Sequence, residues 1–90
     1  MDDPLFPIGR VVVTPRAMGM IGDYGVLFVI CCHVNGNWGN VSKSDERLNT
    51  WAINNRERII STYSGIWDRS VFVVTERDRS VTTILLGDEY

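Results

Sequence analysis

The last third of the chain alternates in a way that predicts strands. Asp68-Arg69-Ser70-Val71 opens the run Val71-Phe72-Val73-Val74-Thr75-Glu76. Ten residues later Asp78-Arg79-Ser80-Val81 opens the run Val81-Thr82-Thr83-Ile84-Leu85-Leu86. Both runs are rich in β-branched residues and are separated by polar turn residues, the pattern of a β-hairpin. Arg58-Ile59-Ile60-Ser61-Thr62-Tyr63 reads as a further strand, joined to the hairpin by the turn Ser64–Asp68. The spacing predicts a three-stranded antiparallel meander over 58–86. Aspartate and serine at each repeat suit the turns, because their side chains bond the local backbone.

The first half predicts helices. Residues 1–7 read as a tail with Pro4 and Pro7, and Ile8–Val13 as a short strand with Gly9 at a bend. Thr14-Pro15 is a helix start: threonine caps, and proline at the first helical position loses no needed hydrogen bond. The helix runs through Ile21, is weakened by Gly22, and has Gly25 as its expected stop. Val26–Val34 suits a helix, with Leu27, Ile30, Cys31 and Val34 on one face, and equally a buried strand. Asn35-Gly36 ends it, and a glycine- and asparagine-rich loop around Trp38 follows. Ser42 or Ser44 caps the next helix, with Asp45 and Glu46 in its first turn. Leu48, Trp51, Ala52 and Asn55 form its expected core face, and Asn54-Asn55 its end. The acidic tail 87–90 is expected to fray. The reading is one domain over 1–90, mainly helical over 14–55. Its fold class is α+β, two or three helices on one face of a three- to four-stranded antiparallel β-meander.

Composition narrows the function classes. A chain this short buries only about 60–65% of its unfolded surface, so the core is small. A net charge of −2 and a pI near 5.2 argue against a protein that lives on nucleic acid. Eight of the nine cations are arginine, which suits interface ion pairs, although a GC-rich genome gives the same bias. Cys31 and Cys32 are adjacent, a poor geometry for a bridge. Their apolar setting predicts two buried thiols in a reducing compartment. The acidic start Met1-Asp2-Asp3-Pro4 is unlike a signal peptide, and the apolar run Val26–Cys32 is too short for a bilayer. A cytoplasmic location without membrane contact is the expectation.

No motif carries a reaction. Cys31, Cys32 and His33 are consecutive, so on a helix they diverge, and no second ligand pair exists for zinc. No serine elbow or phosphate loop is present. The carboxylates are scattered among turns, helix starts and tails. The expectation is a non-enzyme with no catalytic residue, metal or cofactor. Trp51 reads as core. Trp38 and Trp67 lie in loops, where a tryptophan either packs over the edge of the core or, if exposed, anchors an interface beside arginine. Arg69, Arg77 and Arg79 flank the two meander turns and would rim such a patch, or else are solvated turn charges. Trp38, Trp67, Arg69, Arg77 and Arg79 are therefore the candidate partner-binding residues.

The run Val73–Tyr90 resembles the C-terminal signature of a family of small bacterial mobile-element proteins labelled plasmid-related proteins, some of which carry a type I restriction subunit label. Phe6–Pro15, His33–Gly39 and Asp45–Asn49 carry the rest of the resemblance. It favours helix over strand for Val26–Val34, although that segment is more apolar here than the family's charged helix. Members sit on plasmids, integrating elements and phages, and the resemblance brings no catalytic residue with it. It implies a non-catalytic inhibitor that docks on a host defence complex, a CRISPR effector or a restriction enzyme. A nucleic-acid-binding regulator of the element is the alternative, and a thiol-dependent enzyme the third reading. A homodimer stays open.

Overall fold

The structure, a computed structural model, describes residues 3–90. Strand β1 (Arg10–Val13) leads into helix α1 (Pro15–Val34). Helix α2 (Lys43–Asn55) follows, then β2 (Ile59–Tyr63), β3 (Val71–Thr75) and β4 (Val81–Leu86), and a 3₁₀ turn at Gly87–Glu89 closes the chain. The fold is α+β, with two helices and one four-stranded sheet in the order β1-β4-β3-β2. The meander β2-β3-β4 is antiparallel as expected. The sheet as a whole is mixed, because β1 runs parallel to β4. No hairpin joins β1 to the sheet. Its direction is set by α1, which carries the chain away across the sheet, and turn residues hold no record of that.

Alternation puts one side of each meander strand in the core. Pairing lines these residues up in three rows: Ile59–Thr75–Thr82, Ser61–Val73–Ile84 and Tyr63–Val71–Leu86. All nine are buried. Ala17, Ile21 and Val29 of α1 pack against them. A second cluster joins Phe6, Trp38, Ala52 and Ile59. Phe6 thus belongs to the core and not to a tail. The rest of that expected tail falls in part on Met1 and Asp2, which lie outside the described residues.

The start of α1 is capped as predicted, Thr14 Oγ1 accepting from Ala17 N–H at 3.2 Å. Its stop is not Gly25. The helix bends at Gly22 (φ 67°, ψ −178°) and continues to Val34, so Val26–Val34 is helical. That backbone conformation is essentially restricted to glycine. Gly25 serves packing instead: a Cβ there would lie 3.2 Å from Trp67 Cζ2 and 2.5 Å from Ile21 Cβ.

Helix α2 meets the sheet along the edge of β2 and does not lie across its face. The Asn49 carboxamide donates to Ile60 C=O at 2.8 Å and accepts from Ile60 N–H at 3.2 Å. Trp38 C=O and Asn40 N–H bond the Thr62 backbone in the same way. Together these close an edge that would otherwise be open to pairing. The narrow contact explains the misplaced core face of α2. Asn49 and Ala52 are buried, while Leu48 and Trp51 are exposed. The C-terminal tail is pinned and not frayed. Glu89 Oε1 accepts from Thr14 Oγ1 and from Leu86 N–H, each at 2.8 Å, and Asp88 pairs with Arg16 and Arg69.

Two pairs of measurements test this account. Gly19 is helical with nothing near its Cβ position, so Gly19→Ala stabilises by up to about 1 kcal/mol. Gly22→Ala destabilises by about 1–3 kcal/mol, because its φ is positive. Equal effects in urea unfolding would contradict the kink. Asn49→Ala leaves both Ile60 groups unpaired and costs about 1–3 kcal/mol. Asn49→Asp keeps the acceptor but loses the donor, and should also destabilise. A neutral result for Asn49→Ala would show that water closes this edge equally well.

Candidate docking surface

A helix that is apolar all round is ordinarily covered all round. Helix α1 is covered on one stripe only: Ala17, Ile21, Gly25, Val29 and His33 are its buried residues. The opposite side is also apolar. Tyr24 is 89% exposed, Leu27 61% and Phe28 48%, and Cys31 is exposed beside them. Helical geometry places Tyr24, Leu27, Phe28 and Cys31 together at i, i+3, i+4 and i+7. Ile66, from the β2–β3 turn, is also exposed. Phe28 meets Trp67 edge-on, ring centroids 6.3 Å apart. Length and composition alone would let α1 cross a membrane, but here it is bent at Gly22 and gives one side to the core.

The rotation of α1 about its axis is fixed by a buried polar chain. His33 is fully buried. Its Nδ1 lies 2.6 Å from Ser61 Oγ and its Nε2 2.9 Å from Thr75 Oγ1. Thr75 Oγ1 lies 2.7 Å from Thr82 Oγ1, which donates to Ile8 C=O at 2.8 Å. Because that carbonyl only accepts, the protons between it and His33 Nε2 are determined. Thr82 accepts from the Thr75 hydroxyl, and Thr75 accepts from His33 Nε2–H. Burial lowers the His33 pKa to about 4, so the ring is neutral near pH 7 and Nδ1 accepts from the Ser61 hydroxyl. The chain links α1, β2, β3, β4 and the N-terminal arm.

The sequence-predicted residues do not form one patch. The β2–β3 and β3–β4 turns lie at opposite ends of β3, a strand about 17 Å long. Trp67 and Arg69 are at one end, Arg77 and Arg79 at the other. Trp38 is buried against Phe6 and His33, so it packs over the core edge and is no surface anchor. Arg79 is buried as well. Its guanidinium donates to the carbonyls of Glu57 and Ala52, each at 2.7 Å, and of Glu76 at 3.2 Å, which makes it a structural clamp. Arg77 pairs with Glu57 and Arg69 with Asp88 at the surface. Trp67, half-buried between Gly25 and Phe28, borders the apolar face of α1.

Leu27 and Phe28 were missed as site residues because Val26–Val34 read as core on either assignment, and Tyr24 because it sat between Gly22 and Gly25 at the expected end of the helix. The signal was there: a helix stretch without a polar side, in a chain too small to cover it. The thiol expectation is corrected at Cys31, which is exposed, while Cys32 is half-buried and burial raises its pKa. An open groove of about 370 Å³ lies between α2 and the uncovered sheet face, lined by Leu48, Ile60, Phe72 and Tyr90, with Asp45 and Arg58 at its margin. Among the described residues no group of three or more His, Cys, Asp or Glu converges as a metal site.

The neutral His33 predicts a pH dependence. Its folded pKa is below its ordinary 6.5, so the unfolded chain takes the proton first. The stability it contributes is whole above about pH 6.5 and is lost as pH falls towards 4, a loss of roughly 3 kcal/mol. Asp78 and Asp88, held below 3.8 by Ser80 and Arg16, act in a lower window. His33→Gln can keep both hydrogen bonds without titrating. Urea midpoints should therefore fall more steeply in the parent than in this variant between pH 7 and 4.5. Parallel curves would contradict the assignment.

Comparison with protein-family models, with curated proteins and with solved structures finds no match to this chain.

Proposed function

We propose that this chain is a non-catalytic docking protein that binds another protein through the outward face of α1. The observation that supports this most is the exposure of Tyr24, Leu27 and Phe28 along one side of a helix. Apolar groups at helical spacing are the usual anchors of a helix seated in a partner's groove. Aromatic anchors dominate such contacts when they become desolvated. Trp67 stands at the margin of the face, edge-on to Phe28, where an aromatic rim excludes water.

The cations give less support to nucleic-acid binding. Arg16, Arg58, Arg69 and Arg77 are each paired with a carboxylate, and Arg79 is spent on backbone carbonyls. The partner class rests on the mobile-element resemblance alone: a host defence complex, a CRISPR effector or a restriction enzyme, met in the cytoplasm.

The test uses host cells carrying one defence system at a time, with phage plating as the readout. The parent chain should restore plating against at least one system. Tyr24→Ser with Leu27→Asp changes two exposed side chains, so stability should stay within about 1 kcal/mol, while protection should fall at least tenfold. Undiminished protection by the folded double variant would overturn the assignment of the surface. Failure of the parent against every CRISPR and restriction system tried would overturn the target class.

A further inference from the structure

The fold treats the two edges of its sheet differently. Four backbone groups on the outer edge of β2 are closed by Asn49, Trp38 and Asn40. The outer edge of β1 has no such cover. In the parallel pairing with β4, Arg10 N–H donates to Ser80 C=O and Thr14 N–H to Ile84 C=O. Residues 10, 12 and 14 therefore aim their backbone groups at β4, and Val11 and Val13 aim theirs outward. No described residue bonds those groups. The side chains of Val11 and Val12 are each 38% exposed. Among the described residues Arg10 has no ion-pair partner.

We propose that β1 pairs with β1 of a second copy, antiparallel about a twofold axis at Val12, joining two four-stranded sheets into one. The register follows from the backbone. With Val12 opposite itself, Val11 and Val13 of each copy face Val13 and Val11 of the other, and each pair exchanges both bonds. Centring on Val11 would use Gly9, whose φ of 63° leaves the strand conformation. Centring on Val13 would use Pro15, which has no N–H.

Charge agrees with this register. It sets Arg10 opposite Thr14 of the second copy, whose hydroxyl donates to Glu89. The unpaired guanidinium of each copy thus meets the acidic C-terminal turn of the other, twice by symmetry. On the α1 side of the sheet Val11, opposite Thr82 and 38% exposed, lies where the second copy would cover it. The interface is small, so association is in the micromolar range and not the nanomolar. It uses a different surface from the outward face of α1 and stands independently of the function proposed above.

Sedimentation equilibrium from about 5 to about 500 µM spans the range in which an interface of this size dissociates. The parent should move from monomer to dimer across it. Val12→Lys places like charges directly opposite each other at the twofold, on a side chain the monomer leaves exposed. Val12→Lys alone and Val12→Glu alone should each dimerise at least tenfold more weakly, with unchanged circular dichroism. An equimolar mixture of the two should dimerise again. A parent that stays monomeric throughout would overturn the proposal. So would variants that dimerise like the parent, or a mixture that stays monomeric. A dimer weakened by Leu27→Asp and untouched by Val12→Lys would place the contact on α1 and count against β1.

Discussion

The sheet has one covered face, and α1 has apolar residues on every side. Everything else about this molecule follows from that mismatch. Three rows of strand residues accept a single stripe of the helix, from Ala17 to His33. Tyr24, Leu27 and Phe28 are left in water. At about 25 cal/mol per Å², an uncovered apolar surface of this kind is a source of binding free energy for whatever covers it. Contiguous exposed apolar surface on a small domain marks an interaction site more often than scattered apolar residues do.

Which side of α1 is left over is decided by polar chemistry. Apolar composition alone would allow a helix rotated by one position, since valine, isoleucine, cysteine and phenylalanine recur all round it, although the close approach at Gly25 opposes it. His33 does not tolerate it. Turning the helix would withdraw the imidazole from Ser61 and Thr75 and leave the imidazole and the Ser61 hydroxyl without partners, each costing about 1–3 kcal/mol. The chain from Ser61 through His33, Thr75 and Thr82 to Ile8 C=O therefore sets the rotation of the helix. Arg79 plays the matching role at the other end of the sheet, tying the end of α2 and the residue before Arg58 to the β3–β4 turn. Both residues look functional in the sequence because they are polar and distinctive. Both are consumed by the architecture.

The meander was legible because its signals are local. β-branched runs separated by Asp-Arg-Ser turns predict strands within a residue or two of Ile59–Tyr63, Val71–Thr75 and Val81–Leu86. The cap at Thr14 was legible for the same reason, and the second cap was narrowed to Ser42 or Ser44, of which Ser42 is the one used. Non-local relations were not. The parallel placement of β1, the seating of α2 on a strand edge, and the pinning of Asp88 and Glu89 all depend on partners distant in sequence. Asn49 illustrates the loss: between Leu48 and Thr50 nothing in the pattern marks it as buried, yet here it substitutes for a neighbouring strand. The site was hidden by the same habit of reading, which assigns a purely apolar segment to the interior.

The most direct test of the docking face uses Cys31, which projects from it. The alkylation rate of Cys31 would be compared in the free protein and in its complex with the proposed protein partner, with Thr83→Cys on the far face of the sheet as control. The account predicts strong protection of Cys31 in the complex and an unchanged rate at position 83. An equal rate at Cys31 in both states would contradict it.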